Sequence, residues 1–339
     1  MTPKLKQTAT VTAFWVFLVL ILPVRCYQLL FEMEDGTGYL KTGAVTLYMM
    51  PALIILAVVT LCICALAGKK VKYFQPAFGY YPLGVMGIGL ALAIAYECGD
   101  RFSSLMETMR MERHTIEKVV GVGQMLFAVL AVFMLVIMYA RYLVRSDRYK
   151  SFLLMNLFLP LWAVFYTTQS YLSLSVVANI SENVYDILFL CAATLFIFSH
   201  SKVLAGIGEK SDLRKTVLFG LLASLLGFID YIPRQMAVIM GGSGARNFLN
   251  RFSAPLVSFL EREEVFTKKV LSDTTQPRVL FAAIALYAFV FTMALIYTGK
   301  KLEYDESPMV DPGTAPQVAV DDVEEASAEL ETNPENEEQ

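Results

Sequence analysis

Apolar residues come in long blocks separated by short charged stretches. The blocks predict eight membrane-spanning helices over residues 11–31, 43–67, 77–98, 119–142, 152–177, 185–205, 216–239 and 279–298. Each is long enough to cross about 30 Å of hydrocarbon at 1.5 Å per residue. The expected fold is all-α, a polytopic transmembrane helical bundle over residues 1–302. The first block lacks a small-residue cleavage site, and it is read as a retained helix rather than a secretory signal. The third contains Gly79, Gly84, Gly87 and Gly89, and the seventh spaces Gly220, Ser224 and Gly227 along one side. Both patterns predict close helix packing.

Two connections are longer than a link requires, 99–118 and 241–278. In the first, Phe102, Leu105, Met106 and Met109 recur at helical spacing among Arg101, Arg110 and Arg113. In the second, Phe248, Leu249 and Phe252 precede Leu256, Phe259 and Leu260 in the same rhythm. Both are expected to form amphipathic helices lying at the outer interface.

Composition agrees with a membrane protein: 56% of residues are hydrophobic, 17% are charged, and mean hydropathy is +0.53. The net charge of −3 conceals two opposite halves. After Lys301 there are thirteen acidic residues and no basic one, so the first 302 residues set 28 basic groups against the remaining 18 acids. Residues 303–339 also hold four prolines and no aromatic beyond Tyr304. Such a segment buries too little to offset its ordering entropy, and it is expected to be a disordered acidic tail able to engage a cytosolic protein. The basic body suits anionic lipid headgroups. With no basic patch interleaved with aromatics, nucleic acid is not an expected partner.

Lysine and arginine are denser on the side of the N-terminus, in the loops around Lys69–Lys72 and Arg145–Lys150. That bias predicts both termini in the cytoplasm. Cys26, Cys62, Cys64, Cys98 and Cys191 lie in or beside apolar blocks and read as small hydrophobes. The two histidines, His114 and His200, are expected on opposite sides of the membrane, so neither a metal site nor any other cofactor is expected.

Charges inside the blocks are the candidates for chemistry, because polar groups in lipid are costly unless paired. Arg25 and Asp230 each lie about 14 residues into their blocks, which places both at one depth, ~21 Å from the inner side. Arg234 follows Asp230 by four residues on the same helix face, with Pro233 between them. Glu97 ends the third block near the same surface. Arg25, Glu97, Asp230 and Arg234 are therefore expected to line an outward-facing polar pocket for a small solute, or else to form ion pairs that lock the first, third and seventh helices, with both arginines snorkelling to the headgroups. Asp186, at the outer boundary of the sixth block, is read as an acid near a helix start.

Protease signatures fail on placement. Gly241-Gly242-Ser243-Gly244 is preceded by His200 at the opposite membrane face, so no Ser–His dyad can form, and Tyr185-Asp186 with Asp230 lacks the glycine motif that intramembrane aspartyl proteases carry before the second carboxylate. A non-enzyme is expected. The segment Cys26-Tyr27-Gln28-Leu29-Leu30-Phe31, with Asp35-Gly36-Thr37-Gly38-Tyr39 after it, resembles uncharacterised polytopic membrane proteins of Firmicutes, with Arg25 and Tyr27 matching the end of the first helix. The resemblance covers roughly 20 residues and implies a bacterial cytoplasmic-membrane protein without assigning an activity. The function expected is a transporter-like or permease-like protein. The alternative is a non-catalytic membrane sensor or scaffold that uses the outer loops and the acidic tail.

Overall fold

The computed structural model describes residues 3–32, 40, 43–66, 81–110, 115–144, 155–175, 181–205, 210–241 and 278–297. All belong to the first of two units, Met1–Lys300; the second, Lys301–Gln339, lies outside the described residues, and with it the expected acidic tail. The same holds for the proposed helices in 242–277.

Eight α-helices make up the described residues, with no strand among them: α1 Pro3–Tyr27, α2 Thr46–Leu66, α3 Tyr81–Arg110, α4 Thr115–Val144, α5 Phe158–Ser175, α6 Ser181–Leu204, α7 Lys210–Gly241 and α8 Val279–Tyr297. Seven are long and apolar enough to cross a membrane. The helix that falls short is α5, whose second half carries Thr167, Thr168, Gln169, Ser170, Ser173 and Ser175. It nevertheless packs between α4 and α6 like the other helices. The helices alternate in direction. The face where α1 begins is called the near face below, and the face where α1 ends the far face.

The chain leaves α1 through a π-helical turn, Gln28–Glu32, just after Pro23, which removes one backbone donor from the helix. This turn carries Glu32 onto the start of α2, where its carboxylate accepts from the Thr46 backbone N–H at 3.1 Å and from the Thr46 hydroxyl. An acid there satisfies an orphan donor and complements the positive helix end.

The residues 99–110 are helical, but they are not a separate interfacial helix. They continue α3 without a break, and Leu105 packs against Gly121 of α4. Of the apolar positions that suggested a surface helix, Leu105 turns toward α4, whereas Phe102 and Met106 are exposed.

At the centre stand α7 and α8. In its spanning portion α7 is 72% buried, against 22% for α2 at the periphery. α8 has no polar face, and buried positions run around it from Leu280 to Leu295. Such a helix belongs in an interior. It packs on α3, α6 and α7, meets α1 through Phe14 and Phe289 (ring centroids 5.5 Å apart), and meets α4 through Tyr139.

Between helices in lipid there is little hydrophobic drive, so close contact depends on small residues. A Cβ at Gly220 would overlap the Thr292 hydroxyl, and one at Gly227 would crowd Ala285 and Phe189. The small-residue stripe of α7 is thus the surface that seats α8. On α3, Gly84 accommodates Leu143 and Gly87 accommodates the Tyr139 ring.

Candidate functional site

Two polar layers cross this apolar bundle. The first lies near the far face and is built on α1, α6 and α7. Arg25 is fully buried two residues before α1 ends. Its Nη1 donates to the Gln28 side-chain carbonyl, three residues on, and its guanidinium lies over the Tyr185 ring at 4.2 Å. The π turn brings Gln28 back over the arginine. Cation–π contact is strongest where the cation is desolvated, as here.

Tyr185 is followed on α6 by Asp186, also fully buried. Arg234 of α7 donates from Nη2 to Asp186 Oδ1 at 2.6 Å, and the same nitrogen lies 2.7 Å from Asp230 Oδ1. One guanidinium thus serves two carboxylates on two helices. Arg278, the residue before α8, reaches Asp186 Oδ2 at 3.7 Å and is partly exposed. The inner four, Arg25, Arg234, Asp186 and Asp230, balance in charge and are at most 1% exposed.

Glu97 belongs to a neighbouring cluster. Its Oε1 accepts from Arg101 Nε at 2.7 Å and from the Tyr166 hydroxyl at 3.1 Å, and Arg101 lies over the Tyr166 ring at 4.4 Å. This links α3 to α5. The partners of Glu97 shown here lie on α3 and α5, while α8 packs on both α3 and α7. Arg278 connects the two clusters, being within electrostatic reach of Tyr166 as well as beside Asp186.

The structure therefore gathers Arg25, Asp230 and Arg234 into one layer and leaves Glu97 in the next cluster. Neither arginine snorkels; both point inward. The helices locked at this level are α1, α6 and α7, with α3 joined only through the adjoining cluster. Asp186 is no helix-start acid but a buried partner of Arg234. Counting depth identifies it. Asp186 is five residues into α6 and Arg234 seven residues from the end of α7, so both lie ~8–10 Å below the far end of their helices. Gln28 and Tyr185 left no comparable signal, because neither carries a charge.

The second layer lies toward the near face. His200 of α6 is fully buried, and its Nε2 is hydrogen-bonded to the Tyr287 hydroxyl of α8, which in turn bonds the Tyr139 hydroxyl of α4. Phe196 and Phe291 wall the imidazole at centroid distances of 5.5 and 4.4 Å. Among the described residues no group of three or more His, Cys, Asp or Glu is placed to hold a metal ion.

A bundle of long apolar helices with charges turned inward defines a polytopic α-helical membrane protein. No protein family's sequence profile matches the chain, nor does any curated protein or solved structure.

Proposed function

We propose that this is a permease-like protein of the bacterial cytoplasmic membrane, with no enzymatic activity, whose far-face charge layer is a solute site in its closed state. The observation that supports this is the sharing of Arg234 Nη2 between Asp186 and Asp230 at 2.6 and 2.7 Å, deep in an apolar bundle. Ionisable groups within a membrane are costly and are retained where they bind or move charge. A guanidinium divided between two carboxylates on different helices can release one of them to an ionic or zwitterionic solute while keeping the other, so α6 and α7 part without leaving Arg234 bare. The far face is the outer one in this proposal, both termini are cytoplasmic, lipid surrounds the bundle, and the acidic tail is free to meet a cytosolic protein.

A second reading has its own support. α1 packs directly on α7, and the charge layer is closed to solvent. A permanent lock of this kind suits a non-catalytic sensor or scaffold, with the tail as its binding segment.

Cys26 separates the two readings. It adjoins Arg25, and its Sγ lies 3.7 Å from Met236 Sδ across the α1–α7 contact. With the other cysteines replaced by serine, Cys26 in proteoliposomes is expected to react with a charged, membrane-impermeant thiol reagent from the far face only. The reaction is expected to speed up in Asp186→Asn, which weakens the α6–α7 tie. A Cys26 that stays inert in both proteins would mean the layer never opens, and the permease-like function would fall.

A further inference from the structure

The near-face layer poses a separate problem. Packing alone does not require a histidine at position 200, since the site is walled by Phe196 and Phe291 and a further aromatic ring would fill it. What imidazole adds is a second nitrogen. Nε2 is used by Tyr287, but Nδ1 is buried and has no hydrogen-bond partner. Buried polar atoms nearly always have one. Orphaned N–H groups are rarer than orphaned acceptors, which assigns the proton to Nε2. Nε2–H then donates to the Tyr287 oxygen, the Tyr287 O–H donates to Tyr139, and Nδ1 carries a bare lone pair.

We propose that His200 is a proton-binding site inside the bundle, at which proton uptake on Nδ1 is coupled to release of the α4–α6–α8 contact. One N–H bond forms on Nδ1 and none breaks, so the ring gains one positive charge. Among the described residues the closed bundle offers that charge nothing to pair with. α8 has no charged residue between Val279 and Tyr297, and α5 has none between Phe158 and Ser175. The ring's titratable neighbours are the phenols Tyr287 and, beyond it, Tyr139. At the near ends of α6 and α7 the described charged side chains are Lys202, over the Phe198 ring, and Asp212, Arg214 and Lys215, with Asp212 and Lys215 paired at 3.3 Å. None of these contacts the imidazole. The charged ring must therefore turn or part from α8 to reach water.

The path is short. His200 lies four residues before α6 ends at Leu204, ~6 Å of helix rise. Ser201 and Thr292 add two more buried hydroxyls without partners, one beside His200 on α6 and one beside Phe291 on α8. They are polar groups that water entering from this end would meet. The proposal stands apart from the far-face site, because it can be read on the ring itself.

The test is 15N nuclear magnetic resonance of the full chain in lipid nanodiscs. His114→Gln leaves His200 as the sole histidine of the two. The neutral Nε2–H tautomer is expected above neutrality. On acidification between about pH 8 and about pH 4, both nitrogens are expected to move to imidazolium positions, with a second set of tyrosine signals growing in step. Tyr287→Phe keeps the packing and removes the acceptor. Only the neutral ring of the closed bundle keeps this hydrogen bond, because the charged ring has parted from α8, so this change is expected to raise the titration midpoint by roughly one pH unit. A ring that stays neutral throughout, or a midpoint identical in Tyr287→Phe, would overturn the proposal. So would unfolding before the ring charges, since the site would then exist only in the unfolded chain. The Cys26 reactivity tests the far-face function independently, and either can fail alone.

Discussion

The two polar layers solve one problem in opposite ways. The far layer buries full charges: Arg234 is met by the carboxylates of Asp186 and Asp230, and Arg25 by the Gln28 carbonyl and the Tyr185 ring. The near layer holds no described charge, only a file of neutral groups, His200, Tyr287 and Tyr139. Charged partners are strong together and ruinous apart, because each left alone keeps its full desolvation cost. Neutral partners gain and lose less. The far layer therefore acts as a tie that holds or fails as a unit, whereas the near layer can be loosened one bond at a time.

The largest effect should come from breaking the far tie at its shared member. Arg234→Met takes from Asp186 and Asp230 the cation they share, leaving Asp186 the more distant Arg278, and a loss of about 3–5 kcal/mol is expected. Thermal unfolding in detergent would show this as loss of the folded species. Removing the charges together should cost far less: the triple variant Arg234→Met, Asp186→Asn, Asp230→Asn is expected to recover most of the lost stability. If the triple variant is no better than Arg234→Met alone, the carboxylates are not what makes the arginine necessary.

Next in size is the steric test of the near layer. Gly87→Ala would drive a Cβ into the Tyr139 ring, and overpacking of this kind costs about 1–3 kcal/mol. In a Tyr139→Ala background the same change should cost little. Equal costs in both backgrounds would show that α3 is not held against that ring. Tyr139→Phe keeps the ring and removes only the hydroxyl, and its expected cost is about 1 kcal/mol.

The fold was legible to different depths in different places. Apolar blocks located all eight helices because the length of a span is fixed by the bilayer, whatever the helix packs against. The α7 stripe of Gly220, Ser224 and Gly227 was legible as a packing surface, and the structure shows α8 seated on it. Depth counting placed Arg25 and Asp230 at one level, and the i,i+4 spacing added Arg234. It did not show which helices touch, so Glu97, at the same level but across α8, was grouped with them. Asp186 was missed because the sixth block was begun at residue 185, which put it at the helix start, whereas α6 begins at Ser181 and carries it five residues in. The extension of α3 was mistaken for a surface helix for a related reason. Periodicity reports an apolar side, not whether the helix that carries it is separate or continues its neighbour.

The smallest expected effect separates the core of the far layer from its margin. Glu97 and Arg101 form an i,i+4 pair whose side chains are 17% and 25% exposed, unlike the fully closed Arg234 pairs. Partial solvent screening reduces such a pair to about 1 kcal/mol or less. Glu97→Gln keeps an acceptor for the Tyr166 hydroxyl and for Arg101, so most of the local geometry survives. The expected result is a small loss of stability and no change in Cys26 reactivity, since the link from this cluster to the α6–α7 tie runs only through Arg278. Should Glu97→Gln open Cys26 as Asp186→Asn is expected to, the two clusters would have to be one electrostatic unit. The boundary of the solute site would then run across α8 to α3, restoring Glu97 to the pocket the sequence suggested.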